Sequence, residues 1–298
     1  MNGPIGRFVD RGEHAMFTAY FPAAVEQPRF AVVLVNAFAS ETEIFRVHFV
    51  HFGRALAAAG IPALRFDYVG YGDSQGDFEA ACPASMEADI EAAIEEAKRR
   101  SGASRVVLVG LRFGATLAAR VAARRDDVEQ LVLWEPLVKP WDDLFAQLRA
   151  TVSMQTVLFK DVKATRDQIV ENLLAGRPTM VGGYDLNVID DGYPLGREMV
   201  EQTKRIDLLN EGTSRARTLV LHVRRNPGQP SKKLVEYRDR LAQQGVDVTL
   251  DTVVESTLPW LHEATYSTMS PNLYRTTLDF LGAGRERERN VDSVVEAP

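Results

Sequence analysis

Short apolar runs closed by turn signals alternate along this chain with stretches in which apolar residues recur every three or four positions. The runs are Phe30 to Val35, Ile61 to Phe66, Val106 to Gly110, Leu131 to Trp134, Thr218 to His222 and Val246 to Val253. Strands buried on both faces read this way, and their alternation with helical patterns predicts an α/β fold with a mostly parallel central sheet flanked by helices. Before the first run, Arg7 to Val9 and Ala15 to Tyr20 alternate on either side of Gly12. They predict an antiparallel pair at the edge of that sheet.

The intervening segments carry helix signals. Ser85 stands as a cap before Glu87 and Asp89; Ile90, Ala93, Ile94 and Ala97 share one face, and Lys98 to Arg100 precede Gly102. Acid in the first turn and base in the last is the order the helix dipole favours. Phe49, Phe52 and Leu56 repeat at helical spacing up to Gly60, and Ser231, Leu234, Tyr237 and Leu241 do so up to Gly245. Both helices are expected to pack on the sheet.

From residue 138 to 215 the alternation stops. Trp141 to Phe159, a start at Thr165 with Gln168 three residues on, and Pro194 to Lys204 read as helices joined by loops. A stretch this long between two strands exceeds a simple crossover. The expected organisation is therefore a core of residues 1–137 and 216–283, a helical cap over 138–215, and a flexible tail at 284–298. That tail contains Arg285-Glu286-Arg287-Glu288-Arg289, an alternating charge run with little to bury.

Composition narrows the classes. The 298 residues carry a net charge of −6, with no basic face for nucleic acid and no polybasic membrane segment. No apolar run approaches the roughly 18 residues of a membrane span, and no secretory leader pattern opens the chain. A single cysteine, Cys82, excludes an internal disulfide framework and a cysteine-rich zinc site, which fits a reducing cytoplasm. No dinucleotide fingerprint is present, so no cofactor is expected, and self-association is left open.

The segment richest in chemistry is Gly110-Leu111-Arg112-Phe113-Gly114, an apolar strand meeting two glycines that bracket an arginine before a helix. It resembles the nucleophile elbow of the α/β-hydrolase superfamily, whose strained turn exposes its central side chain above the carboxyl edge of the sheet. Further segments resemble the family in the same order: Val35-Asn36-Ala37-Phe38 where one oxyanion-hole amide is placed, Phe66-Asp67-Tyr68-Val69-Gly70-Tyr71-Gly72-Asp73-Ser74 for the FDxxGxGxS loop, Leu133-Trp134-Glu135-Pro136 after the elbow helix and its strand, and Leu258-Pro259-Trp260-Leu261-His262 where the triad histidine belongs. The pattern is similar to the serine-aminopeptidase-like branch, including bacterial hydrolases associated with exosortase systems. The resemblance implies a biosynthetic hydrolase with a cap domain.

Two departures stand out. The elbow summit, occupied by serine in the family, is Arg112, and a permanently protonated guanidinium is a poor nucleophile. The loop Val223-Arg224-Arg225-Asn226 also lacks the carboxylate most members place there, leaving Glu135 as the substitute that would orient His262. Two readings of Arg112 stay open. It either pairs with Glu135 and holds the turn, or anchors a carboxylate, phosphate or oxyanion beside helix N-terminal amides. The amides of Phe113 and Ala37, with Phe38, would form an oxyanion hole, and Trp260 would pack the entrance.

His262 is either structural or the proton carrier. His48 and His51, three apart on one helix, lack the further ligands a metal site requires, so no metal is expected. His222 and His14 read as structural, and Cys82 as a buried, inert thiol. The resulting expectation is an atypical α/β-hydrolase-fold enzyme acting on an acyl-containing small molecule or peptide without a serine nucleophile. Its chemistry would be water-mediated hydrolysis, or a non-hydrolytic reaction such as epimerisation or cyclisation. The alternative is a non-catalytic protein that binds a ligand or partner.

Overall fold

A computed structural model describes residues 3–189, 192–261 and 269–282. In chain order the first half forms β1 (Ile5–Arg11), β2 (His14–Phe21), β3 (Ala31–Val35), α1 (Ser40–Ala58), β4 (Ala63–Phe66), α2 (Pro83–Ser101), β5 (Val106–Leu111), α3 (Phe113–Ala122) and β6 (Val128–Trp134). The chain then leaves the sheet for α4 (Pro140–Phe159), α5 (Arg166–Leu174), the short strands β7 (Met180–Val181), β8 (Tyr184–Asp185), β9 (Val188–Ile189) and β10 (Tyr193–Pro194), and α6 (Arg197–Thr203). It returns through β11 (Arg217–Arg224), α7 (Lys232–Gln243), β12 (Val248–Val254) and α8 (Pro271–Leu281).

The eight-stranded sheet runs β1-β2-β4-β3-β5-β6-β11-β12. β1 and β2 are antiparallel and β2 joins β4 antiparallel; every pairing from β4 to β12 is parallel. The opening pair, the central runs and the helices that separate them thus stand where apolar patterning predicts. Alternate residues of the central strands feed two cores. Val33, Leu108, Leu133 and Val220 face α2, α3 and the segment between β6 and β11, whereas Val32, Val109, Val132 and Leu221 face α1 and α8. On the second side Trp134 is fully buried among Phe45, Phe49 and Phe52, and its indole N–H donates to Thr277 Oγ1 at 3.0 Å. Burying a ring of that size without a partner for its N–H would cost much of what its apolar area contributes.

Several boundaries differ from the sequence reading. Ser85 does not cap α2: Pro83 opens the helix, Cys82 holds the N-cap, and the Ser85 hydroxyl sits at the third helical position, accepting from the Cys82 N–H. Proline at the first position is favoured because its missing N–H has no helical partner to lose. The strands β7 to β10 form two two-stranded ribbons that residues too short for any periodicity cannot announce. At Thr165 the predicted capping box is present, with the Gln168 N–H donating to the threonine hydroxyl. No helix among the described residues is long and apolar enough to cross a membrane.

Candidate functional site

Three strands deliver the site. Leu111 of β5 pairs with Trp134 of β6, and Trp134 pairs with Leu221 of β11, so the next residues, Arg112, Glu135 and His222, occupy successive rungs at the carboxyl edge. The ladder carries on into them: the Arg112 N–H donates to Trp134 O at 2.9 Å and the Glu135 N–H to Leu221 O at 2.8 Å. Arg112 and Glu135 have φ of 52° and 51°, and Ala39, just beyond β3, has φ of 49°. None is glycine. Left-handed backbone at such residues costs on the order of 1–3 kcal/mol and collects at functional edges.

The glycines around Arg112 are required by close approach. A Cβ at Gly110 would lie 2.6 Å from Ala115 Cα, and one at Gly114 would collide with Asn36 O. Strand, elbow helix and the loop after β3 therefore press together only because both positions lack side chains. The same approach brings Phe38 against Phe113, with ring centroids 5.6 Å apart, so the two segments expected to supply oxyanion amides adjoin each other. Ala37 is fully buried there, its carbonyl accepting from the Thr42 hydroxyl.

Arg112 does not pair with Glu135. Its Nε donates to Glu41 Oε1 at 2.9 Å and its Nη2 to Asp143 Oδ1 at 2.8 Å, while the guanidinium carbon lies 5.5 Å from the centre of the Trp260 ring. Glu41 comes from the first turn of α1 and Asp143 from the first turn of α4, where carboxylates also meet helix N-terminal amides. The side chain is only 14% exposed. Burial alone would lower its pKa, but the charges and hydrogen bonds of Glu41 and Asp143 outweigh that and hold it above the ordinary arginine value. Between Phe38, Phe113, Leu144 and Met199 a void of about 20 Å³ remains beside the two carboxylates.

Glu135 is likewise engaged elsewhere than expected. Its carboxylate takes His222 Nδ1 at 2.9 and 3.1 Å and the Val223 N–H at 2.9 Å. His222 is the neighbour one rung away, so no other imidazole among the described residues competes for it. His262 lies outside the described residues. His48 is buried, with Nδ1 3.2 Å from Ser270 Oγ and 3.3 Å from Tyr274 OH, and Cys82 is buried and unpaired with another thiol.

The structure thus gathers Arg112, Phe113, Ala37, Phe38 and Trp260, places Glu135 one rung from β11, and adds Glu41, Asp143 and His222. Sequence reasoning missed Glu41 and Asp143, whose signal as first-turn acids is indistinguishable from ordinary helix capping. It set His222 aside as structural, although its place at the end of a central strand was visible.

The fold is shared widely. Est1E from Butyrivibrio proteoclasticus, solved with ferulic acid, superposes with a TM-score of 0.58 at 15% identity over 93% of this chain and 99% of its own. A soluble variant of monoglyceride lipase from Saccharomyces cerevisiae gives 0.59 at 12% identity, over 94% of each chain. Proline iminopeptidase from Mycobacterium smegmatis gives 0.58 at 15% identity, over 93% and 98%. At such identities the likeness establishes the α/β-hydrolase fold alone. No curated protein matches the sequence. Residues 26–249, by contrast, match the serine aminopeptidase, S33, family, and the chain belongs to that family of hydrolase-type proteins.

Proposed function

We propose that this chain is an α/β-hydrolase-fold enzyme that acts on an acyl-containing small molecule or peptide without forming a covalent intermediate at its elbow. The observation that carries the reading is the side chain at the summit of the turn. Arg112 occupies the strained position, is held protonated by two carboxylates, and offers no lone pair to an acyl carbon. Chemistry at this edge then proceeds through water, or through proton transfer on the substrate itself, as in epimerisation or cyclisation. The first amide of α3 at Phe113, with the Ala37–Phe38 backbone, is suited to a developing oxyanion. A histidine oriented by Glu135 moves the proton.

A fluorophosphonate probe tests this directly. The expected result is no site-specific adduct by intact mass, together with turnover in a panel of 4-nitrophenyl esters and aminoacyl 4-nitroanilides that lacks a burst phase. A stoichiometric phosphonyl adduct on a serine would overturn it.

One observation favours the second reading, a protein that binds without turning over. Both forks of Arg112 are engaged, and the void beside it has room for about one water. Thermal stabilisation by members of the panel with no turnover of any would select that reading.

A further inference from the structure

The Glu135–His222 pair has a feature that a purely structural strut would not need. Two carboxylate oxygens face Nδ1, which fixes that nitrogen as the protonated one and leaves the lone pair on Nε2. Nε2 makes no hydrogen bond among the described residues, yet it is not among their enclosed, unsatisfied polar atoms, and no interaction of His222 remains beyond those named. With the side chain 15% exposed, the basic nitrogen opens to solvent at the carboxyl edge while its opposite face is held. Among the described residues Glu135 is the charged group that hydrogen-bonds and ion-pairs with the ring.

Glu135 is itself fixed at three points. The Val223 N–H donates to Oε2, the Glu135 N–H donates to Leu221 O, and φ of 51° turns the side chain toward the next strand. A residue anchored by its backbone N–H on Leu221 and by its carboxylate on Val223 sets the direction and tautomer of the ring between them. Arg112 stands on the rung beyond, so an acyl group near the elbow lies over neighbouring strands of the same edge.

We propose that His222 is the proton acceptor of this site and Glu135 its positioning residue, a role that the sequence assigns to His262. The inference rests on the hydrolase-type reading above. In hydrolysis, Nε2 takes a proton from water as the water oxygen bonds to the acyl carbon. The bond from that carbon to the leaving oxygen or nitrogen then breaks, and the imidazolium returns its proton to the leaving atom.

The test combines 4-nitrophenyl acetate hydrolysis between pH 5 and 9 with diethyl pyrocarbonate modification mapped by mass spectrometry. His222→Asn is expected to lower kcat by about 100-fold, with KM little changed and the alkaline rise of the rate lost. Glu135→Gln is expected to lower kcat by roughly tenfold or more, because an amide donor favours the wrong ring tautomer, and to change the pH profile. In the unaltered protein His222 is expected to be carbethoxylated, and more slowly in Glu135→Gln. Wild-type rates and profile in a folded His222→Asn, or an unmodified His222, would overturn the assignment. Should His222→Asn not fold, Glu135→Gln and the modification of the unaltered chain decide. Absence of turnover in the unaltered protein strikes the enzyme reading instead, and the modification arm still judges the imidazole.

Discussion

Two polar clusters stand side by side on the carboxyl edge of this sheet, and they are built to opposite ends. The Arg112 cluster is closed: one carboxylate from α1, another from α4, and the Trp260 ring take the guanidinium from three directions. The Glu135–His222 pair is half open, gripped on Nδ1 and without a hydrogen-bond partner on Nε2 among the described residues. The elbow summit is where hydrolase folds present a reactive group, yet here that place ties α1 to α4. Reactivity at a site depends on which atom is left unsatisfied, and that atom lies two strands away.

The sharpest way to break this comparison is Arg112→Ala. It leaves Glu41 and Asp143 facing a cavity without their shared counter-charge. Removing one partner of a buried pair costs about 3–5 kcal/mol, and the lower end applies because Asp143 is 29% exposed. A loss of about 3 kcal/mol corresponds to a fall of roughly 5 °C in Tm for a chain of 298 residues. Differential scanning calorimetry measures it. A fall below about 2 °C would mean the cluster is not a structural clasp, and the closed half of the comparison fails.

His222→Asn supplies the matching measurement on the open half. The pair contributes a hydrogen bond between partly exposed groups, so its loss is expected to cost only about 1 kcal/mol. Urea melts of the two variants side by side give the ratio. Equal destabilisation would erase the distinction between a clasp and a poised base.

The unequal legibility of these two pairs has a physical source. The strands, their mostly parallel arrangement and the two glycines around Arg112 were readable because each leaves a local trace: apolar runs, helical spacing between them, a two-glycine bracket. Arg112 at the summit was readable for the same reason. Its partners were not, since Glu41 and Asp143 are 71 and 31 residues away in sequence and meet only when α4 folds back over the sheet. Glu135 was singled out as the acid that would orient His262, which lies outside the described residues, and its hydrogen bond to His222 was not anticipated. Once β6 and β11 are neighbours, His222 is the adjacent rung, a fact that strand order fixes and sequence distance hides. Helix α8 was missed despite Pro271 and the spacing of Leu273, Thr277 and Leu281, a signal that was present.

The smallest effect is expected at the other end of β6, and it calibrates the rest. Asp127, just before that strand, accepts from Arg125 Nε at 2.8 Å and Nη2 at 2.7 Å, and from Lys98 Nζ at 2.9 Å. The Arg125 hydrogen bonds hold its carboxyl well below the usual carboxylate range; burial opposes them, and the Lys98 hydrogen bond adds to the lowering. A carboxylate whose folded pKa is depressed binds fewer protons than in the unfolded chain, whose value is about 3.9. Its contribution is therefore fully present above about pH 4 and is lost as pH falls from there toward the folded value. The carboxylate is half-buried, with 23% of its side chain exposed, and its partners reach solvent, so screening limits the contribution to about 1 kcal/mol. In Asp127→Asn, urea melts at pH 7 should show that small loss, and the gap from the unaltered protein should narrow at pH 3 and shrink with added salt. Arg112→Ala should respond less to salt, because the guanidinium and Glu41 are only 14% and 12% exposed. If both variants lose stability with the same salt dependence, the guanidinium at the elbow is solvated after all, and its closed environment cannot be what sets it apart from His222.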